Sequence, residues 1–294
     1  QAPQTCCKHP GCCGYLRRTS ETGEGLGSMA NVVETQLTNR RDSRVAMPDG
    51  EILLQRGGSG PPLLFLHGGG AGTWGRLQDL LAASFDVFAP VHPAFGASDE
   101  MEQVEGMDDL VYHYLDLADR LGLDRVALVG SSFGGWLAAE LAVHSPQRFS
   151  ELVLISPVGL RIPEHPLRDI FLMTPEERVR ILFRHPERLP APDPTDTDAI
   201  LLNYKNMMAL ARFGWSPFMN NPKLERRLYR ITARTMVIAP AEDRLAPRAH
   251  DERYASRIAG ARLVVIDDAA HVAEMEKPEA VAAPILEFLT GAAR

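Results

Sequence analysis

The segment Gly130-Ser131-Ser132-Phe133-Gly134 follows directly on the apolar run Arg125 to Val129, and it constrains this chain more than any other feature. The run before it reads as a buried β-strand. Gly135 to His144 reads as a helix that is apolar almost all round, with Leu137 and Leu141 four residues apart, and Ser145-Pro146 stops it. A strand that turns at once into a helix brings two backbones close together. Glycine two residues either side of the central serine removes the Cβ that would stand between them. Ser132 is therefore expected at the exposed bend, with Ser131 as scaffold.

A serine hydroxyl is a weak nucleophile, so the chain must also supply a base, an orienting carboxylate and donors for a developing oxyanion. On a turn of this kind the acid and then the histidine follow the serine in sequence. His271 comes after the strand-like Arg262 to Ile266 and opens a loop, a placement that puts it over the carboxyl edge of a sheet. Asp243 lies just past the strand-like Thr235 to Ala239, with Glu242 in reserve. The other common place for the acid, Ser156 to Leu160, contains no carboxylate. The donors are expected from Phe133 N–H and, in the loop His67-Gly68-Gly69-Gly70 after the strand Leu63 to Leu66, from Gly69 with Gly70 second.

The stretch Gly70 to Gly75 also fits G-x-G-x-x-G, the phosphate-binding turn of dinucleotide sites. That reading requires an acidic residue at the end of the next strand. The strand Asp86 to Val91 ends instead in His92-Pro93, so no dinucleotide cofactor is expected.

Taken together, these stretches resemble the α/β-hydrolases, in particular the group of meta-cleavage-product hydrolases and related esterases. The resemblance runs from about Val45 to the C-terminus. It rests on the HGGG loop, the turn Phe95 to Asp99, the serine turn, the loop Asp243 to Pro247, and His271 followed by Glu276-Lys277-Pro278. It implies a mostly parallel sheet flanked by helices, a Ser132–His271–Asp243 triad and no metal or organic cofactor. Three departures are His92 where aspartate is usual, Pro240 for glycine, and Ala270 for the glycine before the histidine. Each is expected to reshape the pocket rim. Meta-cleavage-product hydrolases also usually carry a tryptophan after the catalytic histidine and a cap arginine for the substrate carboxylate; here Val272 follows His271, and the nearest basic candidate in the corresponding part of the cap is Lys205.

Strands expected at 63–67, 86–91, 125–130, 151–156, 235–239 and 262–266 alternate with helices, after a first strand or hairpin spanning 45–55. Residues 45–160 and 232–294 form the expected core. Residues 161–231 break the alternation and read as a helical cap, with helices over 174–183, 198–212 and 221–230 and a Pro-rich loop at 189–194. Phe171, Met207, Met208, Phe213 and Trp215 of the cap, with Gly70, Trp74 and Val272 of the core, are the candidate substrate contacts. Pro284 is expected to kink the last helix.

A net charge of −7 and only scattered arginine pairs argue against nucleic acid and anionic membranes as partners. A small-molecule substrate is expected, and a homo-oligomer is left open. No apolar run approaches the length of a membrane span. All four cysteines fall within residues 6–13, in adjacent pairs that do not suit a zinc site. Residues 1–44 read as a disordered extension, with Met29 a candidate initiator, and the cysteine-free remainder fits a reducing cytoplasm. The function expected is hydrolysis of small carboxylic esters or similar acyl compounds. The alternatives are C–C hydrolysis of meta-cleavage-type dienoates, or a ligand-binding receptor on the same fold.

Overall fold

The computed structural model describes residues 39–190 and 193–291. The expectations for the cysteine cluster, Met29 and most of the N-terminal extension fall outside the described residues, as do Ala191 and Pro192 of the Pro-rich loop.

Eight strands form one sheet: β1 (Arg41–Met47), β2 (Gly50–Gly57), β3 (Pro62–Leu66), β4 (Asp86–Pro90), β5 (Val126–Ser131), β6 (Phe149–Ile155), β7 (Arg234–Pro240) and β8 (Arg262–Ile266). Their spatial order is β1-β2-β4-β3-β5-β6-β7-β8. β1–β2 and β2–β4 pair antiparallel and every other pair is parallel. β1 starts at Arg41, so residues 41–44, expected in the extension, belong to the sheet. The strand is outermost and mostly exposed, held by its ladder to β2, and its Arg-Asp-Ser-Arg start carries no apolar signal.

The helices are α1 (Arg76–Ala82), α2 (Met107–Arg120), α3 (Phe133–His144), α4 (Pro175–Leu182), α5 (Thr197–Gly214), α6 (Ala249–Arg257), α7 (Ala273–Glu276) and α8 (Pro278–Thr290). Strand alternation divides the apolar side chains between two cores. Leu64, Leu66, Leu128, Leu152, Leu154 and Val237 face α2, α3 and α6. Leu63, Phe65, Val129, Val153, Ile155 and Ile238 face α1 and α8. The central strands carry apolar residues on both faces because both faces are covered. α3 is buried from Phe133 to Val143, which is why its sequence shows no polar stripe.

Between β6 and β7 lie α4, α5 and short 3₁₀ turns. The segment expected as a third helix over 221–230 is instead a turn followed by a 3₁₀ helix, Glu225–Arg230. Asn221 starts it by accepting the Lys223 and Leu224 N–H groups, on its side-chain and backbone oxygens respectively, and Pro222 cannot extend a helix backwards. α8 runs through Pro284 unbroken. The carbonyl that loses its partner there belongs to Ala280, which is exposed, so it is not left buried without a partner. Among the described residues no helix is long and apolar enough to cross a membrane.

The β5–α3 turn is where the fold is tightest. A Cβ on Gly130 would lie 2.3 Å from Gly134 O, and one on Gly134 would lie 2.2 Å from Leu66 O and 2.4 Å from His67 O. These neighbours are backbone atoms and cannot swing aside. Gly134→Ala is expected to cost about 2 kcal/mol or more, read as a lower urea midpoint at unchanged slope. A midpoint equal to that of the parent protein would contradict the close approach of α3 to β3.

Candidate active site

The elbow between β5 and α3 holds Ser132 at φ 52° and ψ −111°, a left-handed backbone that a serine adopts only when its surroundings impose it. Here Ser132 N–H donates to Ile155 O at 2.8 Å, and Ser132 O accepts from Trp136 N–H at 3.0 Å. The side chain is thus turned out of the sheet edge.

His271, on the loop between β8 and α7, reaches this bend with Nε2 2.7 Å from Ser132 Oγ. Its Nδ1 lies 2.7 Å from Asp243 Oδ2. The network assigns the neutral tautomer: Nδ1–H donates to the carboxylate and Nε2 accepts the serine O–H. Asp243 is fixed by its own loop, Oδ1 accepting from Leu245 N–H at 2.8 Å and Ala246 N–H at 2.9 Å. Histidine and aspartate side chains are both 1% exposed, so their pairing is not diluted by water. Burial works against the imidazolium. The Asp243 charge, its hydrogen bond and the Glu274 charge outweigh burial and lift the His271 pKa above its ordinary value. Glu242, the reserve acid, points away into an ion pair with Arg184 at 2.6 Å.

Phe133 opens α3, so its N–H has no acceptor inside the helix and is left facing the bend. The glycine loop lies opposite. A Cβ on Gly68 would sit 3.4 Å from Ser132 Cβ, while one on Gly69 would come within 2.8 Å of Leu210 Cδ2 from α5. Gly69 is thus where the cap rests on the loop. Gly70 is exposed, with nothing nearby.

His92, expected to reshape the pocket rim, is wholly buried beneath this loop. Its Nε2–H donates to His67 O at 2.8 Å, and its backbone N–H donates to His67 Nε2 at 2.9 Å. His67 Nδ1–H completes the set on Gly68 O at 2.7 Å, and Tyr114 O–H donates to His92 Nδ1. Two neutral imidazoles therefore pin the first residues of the glycine loop. Pro240 and Ala270 are buried as well.

The remaining candidates separate. Phe213 lies over the site, its ring 6.1 Å from Phe133 and stacked at 6.4 Å on Phe95. Val272 follows His271, and its N–H donates to Leu182 O at the end of α4 at 3.2 Å. Trp74 is not at the site. It packs in the α1–α8 core with its indole N–H on Asp79 at 2.7 Å, because its place just before α1 turns it to the opposite sheet face. Trp215 and Met208 are on the outer surface of the cap, 58% and 73% exposed, and Trp215 packs on Phe171 at 5.5 Å. They fall on the solvent side of α5, opposite Leu210.

Two ties escaped the sequence reading. Glu276 accepts from Ala270 N–H beside His271 and from Arg184 and His185 N–H just after α4, at 2.8–3.0 Å. Lys205 Nζ donates to Gly96 O at 2.7 Å and Ser98 O at 3.2 Å, and Asn206 Oδ1 accepts from Gly96 N–H at 2.9 Å. The segment between β6 and β7 is thus tied to the rest of the fold at two places. Nothing in an isolated Glu or Lys codon announces such backbone partners; the only signal was Glu276 recurring in the resembled motif.

Residues 63–283 match the sequence model of the alpha/beta hydrolase family, and the chain belongs to that family. Among similar proteins, a 2-hydroxy-6-oxo-6-phenylhexa-2,4-dienoate hydrolase from Comamonas testosteroni is 27% identical, covering 87% of this chain and 99% of the relative. In structure, a bacterial membrane phospholipase A aligns with a TM-score of 0.76 at 24% identity over 87% of each chain. A 2-hydroxy-6-oxo-6-phenylhexa-2,4-dienoate hydrolase from Rhodococcus sp. strain RHA1 aligns with a TM-score of 0.68 at 22% identity, over 86% of this chain and 99% of the other. At such identities the structural likeness establishes the fold.

The buried imidazoles have a measurable consequence. Burial lowers the His67 pKa to about 4, partly offset by its bond to Gly68, and lowers His113 to about 4. Between the ordinary value of 6.5 and about 4 the unfolded chain binds a proton that the folded chain refuses. Their contribution is therefore present above pH 6.5 and is lost as pH falls toward 4, roughly 3 kcal/mol from His67 alone. Chemical denaturation at pH 7, 6, 5 and 4.5 should show a steady fall in stability, reduced in slope by His67→Gln. A stability flat down to pH 4.5 would show that these rings accept protons in the folded state.

Proposed function

We propose that this α/β-hydrolase is a serine hydrolase of small carboxylic esters and similar acyl compounds. The observation that carries the reading is the unbroken hydrogen-bonded line Ser132–His271–Asp243, with 2.7 Å at each step. Ser132 Oγ attacks the carbonyl carbon as His271 Nε2 takes its proton. Asp243 holds the ring in its tautomer and stabilises the imidazolium. The N–H groups of Phe133 and Gly69 receive the oxyanion. His271 then protonates the leaving alcohol, and the acyl-enzyme is cleaved by water that the same ring activates. This sequence asks for no metal or organic cofactor. Leu210 and Phe213 close the site over the glycine loop, a shape suited to a small, largely apolar substrate.

C–C hydrolysis of a dienoate is the second reading, favoured by the name of the Comamonas testosteroni relative. Such a substrate needs its carboxylate held while it ketonises. Lys205, the basic residue in the matching part of the cap, gives its ammonium to the carbonyls of Gly96 and Ser98, and Val272 offers no indole beside the base. A lysine is also a point charge where a planar guanidinium would grip both carboxylate oxygens. These features support the ester reading.

Short aryl or alkyl esters should therefore be turned over with a higher kcat/KM than a 2-hydroxy-6-oxo-dienoate. Rapid bleaching of the dienoate's visible absorbance with esters left almost untouched would reverse the ranking.

Ser132→Ala should abolish turnover and labelling by a serine-directed phosphonate. His271→Ala should cost about as much, and Asp243→Asn about 10⁴-fold, as in other triads of this type. Damage from Glu242→Gln in place of Asp243→Asn would move the acid by one position.

Because the base works only when neutral and its pKa is raised, kcat/KM should fall as pH drops through a midpoint above the ordinary 6.5. A profile flat down to pH 5 would contradict a histidine base.

A further inference from the structure

Immediately beside the triad lies a second pair of buried polar groups that the mechanism above does not use. Ser131, the residue before the nucleophile, is 1% exposed, and its hydroxyl donates to Glu274 Oε1 at 2.6 Å. Glu274 stands three residues after His271, in the short helix α7. Its stem is half-buried, but Oε2 is shut off from solvent and has no hydrogen-bond partner among the described residues. A carboxyl group placed this way is costly unless a nearby charge answers it. The ionisable groups acting on it are His271 on its own loop and Asp243 on the loop after β7; β5 contributes only the Ser131 hydroxyl.

We propose that Glu274 is a positioning residue of the triad: its bond to Ser131 straps the histidine loop to the elbow, and its charge shares with Asp243 the stabilisation of the imidazolium. The strap joins residues 143 apart in sequence. Each of its ends adjoins a reacting group, one by a single residue and the other by less than one helical turn. Because Ser132 and His271 must hold a 2.7 Å contact across two separate loops, a second link between those loops restricts how far they drift apart.

The electrostatics agree in sign. Burial raises the Glu274 pKa, while the Ser131 bond and the His271 charge oppose that rise and Asp243 adds to it. In return the Glu274 charge favours the protonated form of His271. Ionised Glu274 therefore makes the histidine a stronger base, and a neutral side chain in its place makes it a weaker one. Glutamine keeps an oxygen for the Ser131 hydroxyl and removes the charge, separating the two contributions.

The inference rests on Ser132 and His271 acting as nucleophile and base, and it can be tested without a substrate. The pH titration of the His271 ring is followed by NMR in the full chain labelled at histidine, with His271→Gln to assign the signal. In Glu274→Gln the midpoint should move to lower pH by about half a unit or more. In Ser131→Ala it should move the same way by less, since the lost donor leaves Glu274 ionised over a narrower range. Phosphonate labelling of Ser132 in both variants should show a plateau rate lowered by about three- to ten-fold, with its acid limb displaced like the NMR midpoint. Ser131→Ala carries the test if Glu274→Gln does not fold. A His271 midpoint unchanged or raised in the variants would overturn the proposal. A lowered midpoint in a protein that hydrolyses no ester would sustain it and overturn the ester reading instead.

Discussion

The site depends on the packing of the first turn of α3 against the end of β3. Gly134 touches the carbonyls of Leu66 and His67, and Gly130 touches Gly134, so strand, helix and glycine loop meet with no side chain between them. That single contact does three things. It forces Ser132 into its left-handed backbone. It leaves Phe133 N–H at the open start of a helix, and it sets the glycine loop against the serine. Larger residues at these two positions would force α3 away from the strand and the glycine loop.

Near this point two buried histidines have fixed partners. His92 replaces a usual aspartate, and a neutral ring with one donor and one acceptor nitrogen suits its place. It donates to His67 O and accepts from Tyr114, while its backbone N–H meets the His67 ring. Burial lowers the pKa of His92 well below the ordinary range, with the neighbouring His67 adding to the effect. His271 is equally buried, yet its pKa moves the other way because carboxylates face it. Two histidines inside the same 0–1% exposure thus differ in charge behaviour through their partners alone.

The cap is held by the same economy of backbone contacts. Glu276 links the base loop to the end of α4, and Lys205 with Asn206 links α5 to the turn Phe95 to Asp99. Leu210 rests on Gly69 between those two anchors. Lys205 is thereby committed to the carbonyls of Gly96 and Ser98.

The order of elements, the two-faced apolar strands, the glycine spacing at the elbow and the candidates Ser132, Asp243 and His271 were legible in the sequence, because strand period, steric need and chain order are local or sequential properties. Lost to it were contacts between distant residues. Ser131 finds Glu274, Lys205 finds two carbonyls, and His92 pairs with His67 and Tyr114. Trp74 and Trp215 illustrate the same limit: both are aromatic and close in sequence to site elements, but the sheet face and the helix side on which each falls turn them away. Even the edge strand β1 exists through pairing with β2, not through apolar residues of its own. Sequence determined which backbone turns were sterically required; tertiary structure alone decided which polar groups would meet, since hydrogen bonds and charge pairs depend on distances that packing sets.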